Sequence, residues 1–217
     1  GSPLKAQVSF GDAKLFNEHW LFSLSDDSTF VRPAFDDSQW RKLSLPHDWS
    51  VEAQLSPTLA SCTGYLPGGI AWYRKHFNIA DKAARHYIYF EAIYNRSEVY
   101  LNGHLLGKRP NGYISFLYDM TPYFKEGDNV LAVRVDHSRY ADSRWYTGSG
   151  IYRDVWMIAA PDTHFAQWGI GWHATSINDK MASVAVDMEV EKHSVTTARL
   201  EAQATLFDAD GKQVASK

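Results

Sequence analysis

The residue types able to do chemistry concentrate between Asp136 and Val155. Asp142, Arg144, Trp145 and Tyr146 lie within five positions, and a glycine-rich turn, Gly148-Ser149-Gly150, then leads into Ile151-Tyr152-Arg153. A guanidinium offers a planar fork of donors, a carboxylate accepts from paired hydroxyls, and an indole presents a flat apolar face. That set suits a sugar ring. It suits internal pairing equally well, with Arg144 and Arg153 bonded to aspartates and Trp145 in the core, so the segment leaves both readings open.

Other stretches invite chemical readings and support them less. Asn17-Glu18 could supply a catalytic acid, but the pair opens an apolar strand and no second carboxylate is placed for the separation of about 5–5.5 Å that a retaining glycosidase needs. His47-Asp48 could form an acid/base or metal pair. Adjacent residues of an extended chain point to opposite sides, so Asp48 is expected to bind loop amides while His47 packs nearby. Gly68-Gly69 precedes Ile70-Ala71-Trp72-Tyr73-Arg74-Lys75-His76-Phe77 without the Gly-Lys-Ser/Thr of a phosphate loop. The expectation there is a close backbone approach to a partner or ligand, followed by a strand with Trp72 and Tyr73 on opposite faces. No serine sits in a Gly-x-Ser-x-Gly elbow, and the histidines are dispersed, which argues against a His/Cys zinc cluster. Asn95-Arg96-Ser97 matches a glycosylation sequon.

These residues need elements to hold them, and β signals dominate. Tyr87–Ala92, Glu98–Leu101, His104–Lys108, Asn129–Val135 and Asp154–Ala159 read as strands, with Asn102-Gly103 the turn of a hairpin because a type I′ turn needs two positive φ angles. Met120–Phe124 makes a short helical turn at most. After Pro161-Asp162-Thr163 the pattern becomes plain alternation: Ser183–Glu191, Ala198–Phe207, the turn Asp208–Lys212, and Gln213–Ser216. Only three or four strands fit there, whereas an immunoglobulin-like sandwich needs about seven, so the chain is expected to stop inside a second domain. The expected organisation is a tag scar and tail over 1–14, a first domain over 15–160 and a truncated second domain over 161–217.

Of 217 residues, 45% are hydrophobic and 22% charged, which fits a globular protein. The net charge of −3 with scattered lysines and arginines argues against nucleic acid, and no apolar run approaches membrane-spanning length. One cysteine, Cys62, rules out an internal disulfide framework. Nothing in the sequence assigns a compartment.

Six segments in order resemble the amino-terminal part of glycoside hydrolase family 2, particularly its bacterial β-galactosidase branch. They are Phe16–Phe22, Leu45–Trp49, Gly69–Lys75, Val99–Gly103, Gly127–Val133 and Gly148–Val155. The resemblance implies an all-β chain: a jelly-roll (galactose-binding-like) β-sandwich followed by a partial immunoglobulin-like β-sandwich. It implies a parent enzyme that hydrolyses terminal β-galactosides with retention, both catalytic glutamates lying in a (β/α)₈ barrel outside this chain, so no catalytic residue is expected here. It also implies pocket-facing roles for Arg144, Trp145 and Asp142, and for Gly68 and Gly69 in a second loop. The expected partners are a β-galactoside and the barrel, with no nucleic acid or membrane and a homo-oligomeric parent left open. No cofactor or metal is expected in this chain, while the parent has room for a monovalent or divalent cation. The competing readings are an autonomous carbohydrate-binding module and a β-glucuronidase or β-mannosidase parent.

Overall fold

The structure, a computed structural model, describes residues 8–79, 82–139, 141 and 143–217. Two compact units form, one spanning Asp12–Ala160, the other joining residues 8–11 to Pro161–Lys217.

In the first unit, Arg41–Leu43 (β3), Trp20–Ser23 (β2), Gly69–Asn78 (β4), Asp128–His137 (β9), Ser97–Leu101 (β6) and His104–Arg109 (β7) lie side by side, in that order, as one antiparallel sheet. Asp12–Leu15 (β1), Val155–Ala160 (β10), Arg85–Phe90 (β5) and Phe116–Asp119 (β8) form the other. The sheets share one core. Trp20, Phe22, Tyr73, Val99, Leu131 and Val133 come from the first sheet, and Ile88, Phe90, Phe116 and Val155 from the second. Each such side chain contributes about 1.5–3 kcal/mol by leaving water, so this interior dominates the fold's stability.

The expected strands appear with small shifts of their ends, and β1 opens at Asp12, three residues before the expected domain start. Asn102 and Gly103 have φ of 51° and 85° and join β6 to β7, as the hairpin reading requires. The Asn102 side chain also accepts from Val130 N (3.0 Å) and donates to Asn129 Oδ1 (2.8 Å), tying the turn to β9. Residues 120–124 form a turn, with Phe124 N bonded to Met120 O.

β4 alternates as expected. Tyr73 enters the shared core, while Trp72 faces the other side of the sheet. That outer face is covered too: Phe30 packs edge-on against Trp72 and Trp40. Arg74 lies on this face with no exposed surface; its Nε donates to Asp37 Oδ2 at 2.6 Å and its Nη1 to the carbonyl of Phe30. The segment around residues 26–40 thus acts as a lid of aromatic residues and carbonyls over a buried cation.

The second unit contains the hairpin of Thr163–Ile177 (β11) and Ala182–Lys192 (β12), and that of Thr205–Phe207 (β13) and Gln213–Ser216 (β14). Four strands among the described residues fall short of the roughly seven of an immunoglobulin-like sandwich. The expected strand over 198–207 shrinks to its last three residues. Alternation selects a face, but a strand also needs a hydrogen-bonding neighbour, and β14 pairs only with the end of this stretch. Residues 9 and 10 join this unit: Ser9 Oγ bonds to Ala166 O, and Phe10 stacks on His164 at 4.7 Å.

Candidate functional site: an aromatic loop held by Asp48

At one end of the first unit, the segment 47–50 runs beside 149–151. His47 N donates to Ile151 O at 2.8 Å and Trp49 N to Ser149 O at 3.0 Å. Adjacent side chains then diverge, as expected. The His47 ring turns into the core, against Phe22 and within 2.7 Å of the Tyr73 hydroxyl. The Asp48 carboxylate turns to the loop: Oδ1 accepts from Ser149 N (2.8 Å) and Ser50 N (2.9 Å), and Oδ2 accepts from the Tyr146 hydroxyl. Three donors on one carboxylate fix the loop's path.

Beneath it, Ser149 Oγ lies 2.6 Å from Ser50 Oγ and 2.6 Å from His137 Nδ1, all buried. Ser50 Oγ donates to Pro67 O at 2.7 Å, and Trp49 Nε1 donates to Gly68 O at 3.2 Å. The fold therefore brings Gly68 and Gly69 to the base of the 143–150 loop. Gly69 has φ of 128°, and an added Cβ would meet only ordinary contacts at 3.8 and 4.0 Å. Within this chain, glycine at this position answers a backbone-angle requirement.

On this base the loop presents its polar and aromatic groups outward. Trp145 is 61% exposed, and its Nε1 donates to the Tyr113 hydroxyl at 3.0 Å. Tyr113 and Tyr146 are also exposed. Ser143 Oγ bonds to Trp145 O at 2.6 Å. Arg144 is exposed, with no hydrogen bond or ion pair to another described residue. Trp145 is thus exposed rather than core, and Arg144 pairs with no other described residue. Asp142 lies outside the described residues. Tyr113 was not singled out from the sequence. Its signal is the Asn111 Asx turn, whose Oδ1 accepts from Tyr113 N at 2.8 Å.

The electrostatics follow burial and internal pairing. Burial and then the Asp48 bond push the Tyr146 phenol above its usual range, so it remains a protonated donor. Burial lowers the His47 imidazole, against the pull of Glu52, whose carboxylate is itself lowered first by the Arg41 bond. Glu18 is occupied by Ser44 Oγ at 2.5 Å, in keeping with its structural reading. Asn17 donates to Asp154 Oδ1 (2.8 Å) and accepts from Val155 N (3.0 Å), fastening the opening strand to β10. Asn95 and Ser97 are buried, which closes the sequon in the folded chain.

Residues 13–161 match the family model for the sugar binding domain of glycosyl hydrolases family 2. A Bacteroides ovatus protein named beta-galactosidase BoGH2A is 43% identical over 205 residues, covering 92% of this chain and 24% of that protein. A Formosa agariphila protein named beta-glucuronidase is 28% identical over 229 residues, covering 92% of this chain and 23% of the relative. The crystal structure of a beta-glycosidase from Bacteroides vulgatus superposes with a TM-score of 0.86 at 40% identity, covering 95% of this chain and 27% of that one. The chain thus spans about a quarter of the length of each. With more than half its length inside the family model and its sandwich shared with solved relatives, the chain belongs to glycosyl hydrolase family 2, and residues 13–161 are its sugar-binding domain.

Proposed function

We propose that this chain supplies the sugar-binding region of a retaining β-galactosidase. Its 143–146 loop forms one wall of the pocket, and both catalytic glutamates come from a barrel elsewhere in the enzyme. The observation that carries the reading is the Asp48 clasp, which holds Trp145, Tyr146 and Arg144 outward on a rigid base. Aromatic faces stack on the apolar side of a pyranose, and a guanidinium donates to its hydroxyls. The chain alone is inactive in this reading, and its affinity for free sugar is weak, because half a pocket buries little of a ligand. Identity to a protein named beta-galactosidase supports the galactoside.

One observation favours a second substrate. The exposed guanidinium of Arg144 matches a carboxylate bidentately, which suits a β-glucuronide. Hydrolysis of nitrophenyl β-galactoside and β-glucuronide by an enzyme carrying this chain with its barrel separates the two. Arg144→Ala is expected to raise KM for the galactoside about tenfold, the value of one charge-assisted hydrogen bond. A selective loss on the glucuronide favours the second reading. Unchanged constants on both remove Arg144 from the pocket.

A further inference from the structure

The second unit carries a group of side chains that the sugar-binding reading does not use. His164 on β11 and Glu191 on β12 are direct cross-strand partners. Side chains opposite each other in an antiparallel pair rise from the same face. His193 lies two residues after Glu191, so the period of two returns it to that face as well. Lys192, between them, points away and binds Ser194 O at 2.7 Å.

The three side chains converge. His164 Nε2 is 3.6 Å from Glu191 Oε2, and His193 Nε2 is 3.3 Å from the same oxygen. One ligand atom from each lies within 4.8 Å of the others. In a tetrahedral site with bonds of about 2.0–2.1 Å, neighbouring ligand atoms stand roughly 3.3–3.4 Å apart, so two edges are already near the required length. The third edge, between the two imidazoles, is at most 4.8 Å, the rings being stacked with centroids 5.5 Å apart.

The surroundings match what a metal-binding histidine needs. His164 Nδ1 lies 2.9 Å from Pro161 O. A carbonyl only accepts, so Nδ1 carries a proton on that side, and the ring turns its Nε2 edge toward Glu191. A backbone carbonyl orienting the far nitrogen is the usual support of such a ligand. His164 is buried and stacks on Phe10, which supplies an apolar wall. The His193 backbone is fixed in turn, with its N–H donating to Asp162 O at 3.3 Å and the next amide donating to Asp162 Oδ2 at 3.0 Å.

We propose that His164, Glu191 and His193 form a binding site for a divalent transition-metal ion, zinc foremost, with the fourth position open to solvent through the partly exposed Glu191 and His193. Two imidazoles and one carboxylate favour zinc or copper over magnesium or calcium, which prefer oxygen. The ion would cross-link β11, β12 and the segment after β12.

The test is calorimetric titration of the 217-residue chain with zinc chloride, repeated on His193→Ala and Glu191→Gln, with far-ultraviolet circular dichroism to check folding. Both residues are partly exposed, so these variants spare the core, whereas His164 variants do not. The expected result is one zinc per chain, weakened more than about tenfold in each variant and unchanged in His104→Ala, an exposed histidine elsewhere. Cobalt(II) should give the visible absorption of a four- or five-coordinate ion, lost in His193→Ala. No saturable binding, or binding that the His193 and Glu191 variants leave intact, overturns the proposal.

Discussion

Asp48 Oδ1 accepts the backbone amide of Ser149 at 2.8 Å across 101 residues of sequence, joining the 47–50 segment to the 143–150 loop. The same carboxylate receives the Tyr146 hydroxyl, so one side chain sets both the base and the rim of the loop.

Asp48→Ala should therefore loosen the loop more than it destabilises the sandwich. Removing the acceptor of three hydrogen bonds is expected to cost about 1–3 kcal/mol. Amide exchange at Ser149 and Ser50 should accelerate while amides in β4 and β9 keep their protection. Equal protection of Ser149 in the variant contradicts the clasp.

Gly150 tests how tightly the base is packed. A Cβ there would stand 2.3 Å from the Tyr73 hydroxyl and 2.7 Å from His47 O, at φ of 126°. Gly150→Ala should cost about 3 kcal/mol or more, combining backbone strain with overpacking. Gly127, at φ of 80° with nothing near its Cβ position, carries the angular penalty alone. Gly127→Ala should cost about 1–2 kcal/mol. Denaturant midpoints that rank the two in the opposite order refute this account.

The Arg74–Asp37 pair should respond as a unit. Arg74 is fully buried, so deleting Asp37 leaves a buried guanidinium without its carboxylate, at about 3–5 kcal/mol, whereas deleting Arg74 leaves Asp37 its bond to His76 and should cost less. Arg74→Met combined with Asp37→Ala should lose less than the sum of the single variants. Strict additivity in chemical denaturation would show that the two charges are not coupled.

Two histidines should tilt the pH dependence in opposite senses. Burial depresses the folded-state pKa of His47 below 6.5, so its contribution is complete above that value and is lost as pH falls through the depressed one. Burial also pulls on His76, but the bonds to Asp128 and Asp37 outweigh it and raise its pKa. Its contribution is complete below 6.5 and is lost as pH rises through the raised value. In urea titrations between pH 4 and 9, His47→Gln should flatten the acid side and His76→Gln the neutral-to-alkaline side. The reverse pattern would assign the wrong sign to each environment.

Most of the first unit was legible in the sequence, because its signals are local. Asn102-Gly103 declares a hairpin through its backbone angles, and the alternation in β4 places Tyr73 and Trp72 on opposite faces without knowledge of a neighbour. The order of six motifs was enough to suggest the family. Strand pairing was less legible: 198–203 alternates yet joins no strand among the described residues, and the 15-residue β11 bulges between Phe165 and Ile170.

By itself the sequence determined the β class, the turn chemistry and the concentration of Arg144, Trp145 and Tyr146 in one stretch of chain. Whether that loop faced solvent or the interior was decided by Asp48, Ser149 and Tyr113, which lie far apart in the chain. His164 and Glu191 were likewise two unremarked residues among dispersed histidines and acids until the β11–β12 register placed them opposite each other. The reason is common to both cases. Side-chain type and local period are properties of a few consecutive residues, whereas a site is a set of distances across strands. Those distances exist only once the sheet has chosen its partners and their register.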